Sequence, residues 1–485
     1  MKKLPTIVMP LLLIITVILQ IFLPKEIVQT QEVRALPGKL DEVPIFNSNS
    51  PEIIENEGIL LSTFSPQGRK VAGAHLNFAF QGRFDIFAHH FSPPSEDGRS
   101  LYFGIILHNA STKTIKVEIL QGASYLVQPD APYNDDIPAW IENPKGDIYA
   151  GPGDRTMNDN LRGKRQENLP EILEIPAKKT VILLNLPIPV KKKIEYLGNG
   201  RSTLLRLRSN GPVYAASLAM YAEKDAKNID RPPSIEAWQN LLNNGNLVTP
   251  RDKSPTPLDQ NNGQLIYGRV AGVTQGSQWQ AKLLDTPKSK YLTIPQRGQA
   301  FSYTLSTVYR GTLGTGIVQS ARILRRYPDT AYQAHGNYGV QYNLILPLYN
   351  PTKQTQIVSL SIQTPIKEDY LDKGGLRFYP FPNGPVFFRG TVRLRYQNKP
   401  GQIITRYVRL QQRQGELGEP LINLRIKAKE SKIIQLDFLY PPDSTPPQVL
   451  TIVNLDHAYM TVILVQFVSI ITLIFTMMWR KHFEN

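Results

Sequence analysis

The sequence predicts a mainly β protein: two tandem, immunoglobulin-like β-sandwich domains from an internal duplication, with a transmembrane helix at each end. Three observations predict this class. Short apolar or alternating runs are interrupted about every ten residues by Gly, Pro, Asn or Asp, and the 39 prolines disfavour long helices. Two motifs recur in the same order in each half, and an uncharged apolar stretch lies near each end.

The chain begins with an uncharged stretch, residues 4–24, behind Lys2 and Lys3. As a helix it would be about 31 Å long, which matches the hydrocarbon core of a bilayer. Residues 1–30 are therefore predicted to be a signal or a signal-anchor. No small-x-small cleavage site follows Leu23, which favours retention but leaves both alternatives open.

Residues 31–69 are predicted to be an extended N-terminal segment, and residues 70–225 to form the first β-sandwich. Its clearest strands are short runs rich in β-branched and aromatic residues. They are residues 101–107, 115–120, 181–186 and 213–221.

A proline-rich linker, residues 226–262, is predicted to hold one short helix. Ser234 is its expected N-cap, with Glu236 in the first turn. The apolar stripe of this helix consists of Ile235, Trp238, Leu241 and Leu242. The second β-sandwich is then expected over residues 263–450. Its clearest strands are residues 340–348, 357–362 and 392–396.

The duplication is inferred from two pairs of motifs. Asn109 and Asn350 each follow an apolar run and start a turn into another strand. Asn suits this position because its side chain bonds to the backbone two residues later. Further along each half, residues 175–180 and 426–431 resemble each other and lead into an apolar strand. Two matches in the same order favour duplication over chance.

The C-terminal apolar stretch, residues 459–479, is predicted to be a transmembrane helix. Tyr459 and Trp479 lie at its ends, where aromatic belts are expected. The basic tail, residues 480–485, is assigned to the cytoplasm by the positive-inside rule. The predicted location is the plasma membrane, with the bulk of the chain extracytoplasmic, in the periplasm, and the C-terminus in the cytoplasm.

Composition narrows the chemistry. The chain has no cysteine, which excludes disulfides, zinc–thiolate sites and thiol nucleophiles. Its net charge of +15 favours anionic partners if the charge is clustered, although no dense run of Lys and Arg occurs. An evenly charged surface is the alternative. Nucleic acid is not expected as a partner of an extracytoplasmic protein.

A metal or general-base site would use four histidines: His75, His89, His90 and His108. Geometry argues against a simple version of this site. Asp85 and His89 are four residues apart on a predicted strand, about 13 Å, and His89 and His90 point to opposite faces. A metal site therefore needs convergence across strands, and the alternative is a hydrogen-bonded histidine pair at a strand end. No metal, cofactor or catalytic residue is assigned.

Residues 151–165, rich in Gly, Asn and Asp, are predicted to form a loop. Arg155, Arg162, Lys164 and Arg165 make this loop a candidate anion- or glycan-binding site. A solvated loop without a ligand is the alternative.

Five segments carry a family resemblance: residues 32–38, 44–51, 82–90, 149–153 and 388–396. They resemble a cyanobacterial family of unknown function, domain of unknown function 3370. The resemblance covers roughly residues 31–450. It implies a cyanobacterial envelope protein and brings no assigned catalytic residues.

These observations lead us to expect a membrane-anchored, non-enzymatic envelope protein that serves binding, adhesion or scaffolding. Its expected partners are the lipid bilayer, through one or two helices, anionic envelope polysaccharide and other envelope proteins. No cofactor is expected. The alternative is a metal-dependent hydrolase that uses the four histidines.

Overall fold

A computed structural model describes residues 25–190, 198–260, 262–399 and 401–455. The chain is mainly β, with 46% of residues in strands and 5% in helices. The predicted fold class is nevertheless wrong, because it included terminal transmembrane helices. No described helix is long and apolar enough to cross a membrane: the two α-helices have 10 residues each, about 15 Å. Both predicted spans, residues 4–24 and 459–479, lie outside the described ranges.

The strands of the first half are β1 (Ile27–Gln29), β2 (Glu32–Arg34), β3 (Lys39–Leu40), β4 (Pro44–Ser48), β5 (Gly58–Ser62), β6 (Phe80–Ser92), β7 (Leu101–Asn109), β8 (Ile115–Leu126), β9 (Trp140–Glu142), β10 (Ile172–Ile175), β11 (Thr180–Ile188), β12 (Asn199–Tyr221), β13 (Glu223–Lys224) and β14 (Asp230–Arg231). The strands of the second half are β15 (Ala271–Gln275), β16 (Gln278–Lys282), β17 (Leu292–Thr293), β18 (Ala300–Leu305), β19 (Ala321–Arg326), β20 (Gln333–Ala334), β21 (Gln341–Tyr349), β22 (Gln356–Gln363), β23 (Leu376–Phe378), β24 (Val386–Lys399), β25 (Gln402–Arg413), β26 (Ile422–Ile426), β27 (Ser431–Leu439) and β28 (Gln448–Asn454). The helices are α1 (Pro152–Leu161), α2 (Ile235–Asn244) and a 3-10 turn (Ala72–Ala74).

Three large sheets organise the described strands. An eleven-stranded sheet follows the order β10-β8-β12-β6-β4-β15-β19-β20. Off this path, β5 and β7 pair with β12, and β11 pairs with β7. An eight-stranded sheet runs β3-β16-β21-β27-β24-β25-β9, with β17 beside β21. A five-stranded sheet runs β2-β18-β28-β22-β26. Two small two-stranded pairs, β1–β23 and β13–β14, complete the set.

The first half is built around the 23-residue strand β12. Its first part pairs with β6 and β8, and its second part pairs with β5 and β7. The register with β6 shifts between Ser209 and Val213, around a Gly-Pro step that interrupts ladder pairing. One long strand therefore pairs with two sets of strands, β6 and β8 along its first part and β5 and β7 along its second. Phe84, Leu205 and Leu107, from β6, β12 and β7, pack in one core.

In the second half the eight- and five-stranded sheets face each other. Their inward side chains alternate along each strand, as the twofold period of a strand requires. Leu344 and Leu436 come from one sheet and Leu360 and Ile452 from the other, and all four are fully buried in one core.

The two asparagine turns have the same hydrogen bonds. Asn109 Nδ2 donates to the carbonyl oxygens of Lys113 (2.7 Å) and Ile175 (2.9 Å), 66 residues away. Asn350 Nδ2 donates to the carbonyl oxygens of Gln354 (2.8 Å) and Ile426 (3.0 Å), 76 residues away. Each side-chain amide thus fastens its own turn to the next strand pair.

Strand order repeats as well. The order β4-β6-β12-β8-β10 matches β2-β18-β28-β22-β26, with a parallel first pair and antiparallel pairs after it in both. Registers agree too: Thr180 pairs with His108 in the first copy, and Ser431 pairs with Tyr349 at the corresponding positions of the second.

The halves nevertheless share their sheets. From the second half, β15 pairs with β4, and β19 and β20 extend the eleven-stranded sheet beyond it. From the first half, β9 pairs with β25 in the eight-stranded sheet. The linker at residues 226–262 therefore does not divide the sheets into two separate sets.

The predicted linker helix is confirmed as α2. Ser234 Oγ accepts a hydrogen bond from the backbone N–H of Ala237 at 3.2 Å, which caps the helix. Trp238 and Leu242 are buried on its apolar stripe. Asn185 fixes the entry to the helix by donating to the carbonyl of Pro233 at 2.8 Å.

Candidate binding cavity

The predicted loop at residues 151–165 is wrong, because residues 152–161 form the helix α1. Gly151 precedes it with φ 87°, a conformation that favours glycine, and Pro152 begins the first turn. The polar residues that suggested a loop are buried and bonded instead. Asn158 Nδ2 donates to the carbonyl of Gly146 at 3.0 Å, and Asn160 Nδ2 donates to that of Thr156 at 2.9 Å.

The four basic residues of the predicted anion site all have partners within the protein. The Arg155 guanidinium lies 4.0 Å from the centre of the Tyr125 ring, and that of Arg162 lies 3.8 Å from the Tyr407 ring. Lys164 Nζ forms an ion pair with Asp159 at 3.0 Å, and Arg165 lies 3.7 Å from Glu171. These side chains position α1 and its flanks, and they do not converge on one point.

Each of the four candidate histidines lies within hydrogen-bond distance of a different partner. The Nδ1 atoms of His75, His89 and His108 each lie within hydrogen-bond distance of a hydroxyl. The hydroxyls are Ser62 Oγ at 2.8 Å, Ser202 Oγ at 2.7 Å and Thr180 Oγ1 at 3.0 Å, respectively. No group of three or more His, Asp or Glu side chains within the described ranges is arranged to hold a metal ion.

His90 lies in a serine–histidine arrangement that is closed to solvent. Its Nδ1 donates to the carbonyl of Pro51 at 2.8 Å, so in the neutral ring Nε2 accepts from Ser48 Oγ at 2.9 Å. Burial lowers the pKa of His90 to about 3. Ser48 is fully buried, so no substrate reaches its hydroxyl, and the pair stabilises the junction of β4 and β6.

A cavity of about 270 Å³ lies where β4 and the segment before β15 meet loops of the second half. None of the candidate site residues predicted from the sequence lines it. Asn47 and Asn49 do lie in segment 44–51, one of the five that carry the family resemblance. The lining residues are Asn47, Asn49, Tyr267, Gly268, Arg269, Val270, Val308, Ala334, His335, Tyr338, Lys367, Thr445 and Pro446. A volume of this size suits a ligand of one sugar unit or smaller.

Lys367 is the main cation of the cavity. Its Nζ donates to the Tyr267 hydroxyl at 2.6 Å and lies 4.5 Å from the centre of that ring. Burial lowers the pKa of Lys367 to about 8 and raises that of Tyr267 to about 12. Among the described residues, no carboxylate forms an ion pair with Lys367 or neutralises its charge.

His335 also contacts Tyr267, with the ring centres 4.6 Å apart. Burial, followed by the charge of Lys367, lowers the pKa of His335 to about 4, so the ring is neutral at pH 7. Its Nδ1 atom is buried and makes no hydrogen bond with any residue that the structure describes. His335 thus offers a cavity ligand a neutral hydrogen-bonding group.

Amide and guanidinium groups complete the polar lining. Asn47 and Asn49 are 5% and 3% exposed, and the Oδ1 atom of each is buried without a hydrogen-bond partner in the described part of the chain. Arg269 forms an ion pair with Glu52, whose Oε1 lies 3.9 Å from His89 Nε2. Buried acceptors without a donor are costly, so this lining is chemically incomplete without water or a ligand.

Sequence reasoning missed this site because its residues come from six separate segments. Tyr267, His335 and Lys367 follow no motif and lie in connections between strands. The signal present in the sequence is weak: functional residues concentrate in loops that a rigid sheet positions.

The repeated strand order, the shared sheets and the polar cavity define a mainly β protein with a candidate ligand site. The chain belongs to the family described as Protein of unknown function (DUF3370), which matches residues 31–454. The predicted family is thus confirmed, and its cyanobacterial origin stays a prediction.

No curated protein matches the chain. Among solved structures, Lac15 from a marine microbial metagenome is 10% identical with a TM-score of 0.12, over 83% of this chain and 61% of that one. This chain therefore spans about three fifths of the length of Lac15. An 11S globulin from Wrightia tinctoria is 11% identical with a TM-score of 0.11, over 86% and 83% of the two chains. An 11S allergen from Cocos nucifera is 11% identical with a TM-score of 0.10, over 78% and 86%. Similarities of this size do not indicate a shared fold.

Proposed function

We propose that this protein is a non-enzymatic binding protein whose cavity takes a small hydroxylated anion, such as one acidic sugar unit of an anionic envelope polysaccharide. The observation that carries the proposal is the unneutralised ammonium of Lys367 inside a cavity lined by unpaired polar atoms. Adhesion or scaffolding in an extracytoplasmic location would follow from binding of such a polymer.

Charge supports an anionic ligand. A carboxylate beside Lys367 Nζ would supply the ion-pair partner that the protein lacks there. Hydroxyl groups on the same ligand would supply donors for the Oδ1 atoms of Asn47 and Asn49. A sugar face would pack against the rings of Tyr267 and Tyr338. A uronic acid combines all three features in one small molecule.

Calorimetric titration with glucuronate tests the proposal, with glucose as the uncharged comparison. We expect glucuronate to bind and Lys367→Met to weaken binding at least about tenfold, a loss of about 1.4 kcal/mol. Affinity is also expected to fall as the pH rises above about 8, because Lys367 then loses its proton.

Lys353→Met is the matched control, since Lys353 is exposed in the turn after Asn350, away from the cavity lining. Its affinity for glucuronate should equal that of the unaltered protein. Equal binding of glucose and glucuronate, or an equal loss in both lysine variants, would contradict a charge-selective cavity.

The hydrolase alternative remains a prediction without a supporting observation in the described residues. Elemental analysis of the purified protein tests it, because a bound metal and a lower melting temperature after chelation would favour it over the binding proposal. Fractionation of cells tests the extracytoplasmic location separately.

A further inference from the structure

We propose that Lys367 also captures aldehydes covalently, as an imine, so that the cavity retains ligands with a free carbonyl group such as the open-chain form of a reducing sugar. This inference rests on the proposed function only in using the same cavity. It adds a covalent step that anion binding does not require.

The surroundings of Lys367 are those of a reactive amine. Its stem is enclosed, because a Cβ atom built on Gly311 would lie 2.7 Å from Lys367 Cε. Lys367 is nevertheless one of the residues that line the cavity, and its Nζ atom lies 2.6 Å from the hydroxyl of Tyr267. That hydroxyl in turn donates to the carbonyl of Tyr309 at 2.5 Å, which fixes its orientation.

The buried position of Lys367 favours the neutral amine. Burial lowers the pKa of Lys367 to about 8, and no carboxylate offsets this effect among the described residues. His335 stays neutral at pH 7, while Arg310 and Asp369 act on Tyr267 from outside the lysine–tyrosine pair. Desolvated lysines of this kind are the ones that form Schiff bases.

The reaction balances without a further reactant. The lone pair of neutral Nζ attacks the aldehyde carbon, a C–N bond forms, and the carbonyl oxygen takes a proton to give a carbinolamine. Loss of that hydroxyl group and of a proton from nitrogen releases one water and leaves the C=N bond. The Tyr267 hydroxyl is within hydrogen-bond distance of Nζ and is placed to pass protons between nitrogen and oxygen.

The experiment uses pyridoxal 5′-phosphate as an anionic aldehyde probe and glyceraldehyde as an uncharged one. The full chain is incubated with each probe at pH 7.5, reduced with borohydride, digested and mapped by mass spectrometry. At this pH a lysine with a pKa of about 8 has about 200-fold more free amine than an ordinary lysine. We expect Lys367 to be labelled at least about tenfold faster than the exposed Lys353 and Lys253.

Two variants separate chemistry from misfolding. Lys367→Arg should lose the labelled peptide while the melting temperature stays close to that of the unaltered protein. Tyr267→Phe should retain the lysine but be labelled several-fold more slowly, because proton transfer is lost.

Labelling of Lys367 no faster than that of Lys353 would overturn the proposal, as would an unchanged rate in Tyr267→Phe. Failure here is distinguishable from failure of the proposed function. Glucuronate can bind non-covalently as an anion without forming an imine. Glyceraldehyde carries no charge, so its reaction with Lys367 does not depend on an anion site.

Discussion

The two halves of the chain build the same five-strand order and the same asparagine turn, but they differ in what lies between corresponding strands. Between β8 and β10 the first half inserts β9 and α1, whereas between β22 and β26 the second half inserts the long hairpin β24–β25. These two insertions meet: β9 pairs with β25, and α1 packs on β24 and β27. The two insertions therefore help to join the halves, and the hairpin also contributes Val392 and Val408 to the core of the second half.

The largest effect is expected where the insertions meet. Arg409 Nε of β25 and Asp154 Oδ2 of α1 form an ion pair at 3.2 Å, and both side chains are 0% exposed. Arg409→Met leaves a buried carboxylate without its partner and should reduce the free energy of unfolding by about 3–5 kcal/mol. Denaturant titration measures it.

The exposed Arg425→Met on β26 is the control for the Arg409 variant and should change stability by less than about 0.5 kcal/mol. A loss at Arg409 as small as the control's would mean that the two insertions do not hold the halves together.

The repeated turns should be equally important to their own halves. Asn109→Ala removes the donor to the buried carbonyl of Ile175, and Asn350→Ala removes the donor to that of Ile426, at an expected cost of about 2–3 kcal/mol each. Thermal and denaturant unfolding of the two variants compare the copies directly. Thr112→Ala and Lys353→Ala, at matching exposed positions of the two turns, should be near neutral.

If the loss of unfolding free energy in one asparagine variant were twice that in the other, the two turns would differ in their contribution to stability despite having the same hydrogen bonds.

A smaller, pH-dependent effect is expected at Glu416, just beyond the hairpin β24–β25. Burial raises its pKa to about 7, from an ordinary value of 4.5. The protonated form is favoured in the folded state, so this stabilisation is present below about pH 4.5 and is lost as the pH rises through 7. Glu416→Gln should therefore be more stable than the unaltered protein at pH 8, by about 1–2 kcal/mol, and equal to it at pH 4.5.

Unfolding curves of the Glu416→Gln variant at both pH values check the sign. Glu96→Gln, in an exposed loop, is the control. A stability advantage of Glu416→Gln that does not grow with pH would contradict burial as the cause.

The smallest change in stability is expected at a second pair of corresponding positions in the two halves. Lys178 and Lys429 occupy corresponding positions with φ of 60° and 59°, where a side chain is strained and glycine is not. Each also donates from Nζ to a turn carbonyl, of Ala110 and Pro351 respectively. Replacement by glycine should raise stability by about 0.5 kcal/mol at both sites, since relief of strain exceeds the lost exposed hydrogen bond. A stability change of opposite sign in Lys178→Gly and Lys429→Gly would contradict the structural equivalence of the two positions.

The parts of the fold predicted from sequence are those with local causes. Alternating polarity located the strands, and the Ser234 cap located α2. Helix α1 was missed because its asparagines look like loop residues, whereas Asn160 also donates to the carbonyl of Leu204 on a distant strand. The cavity was missed because it too depends on contacts between residues distant in sequence: Lys367 and Tyr267 are 100 residues apart.

The shared sheets have a consequence for any attempt to shorten this protein. β4 is paired on one side with β6 and on the other with β15 of the second half. A polypeptide ending at residue 225 would keep β4 but lose β15, which opens a row of backbone donors and acceptors to other molecules. The halves thus repeat a strand order without being independent modules, and a separated half would be prone to self-association.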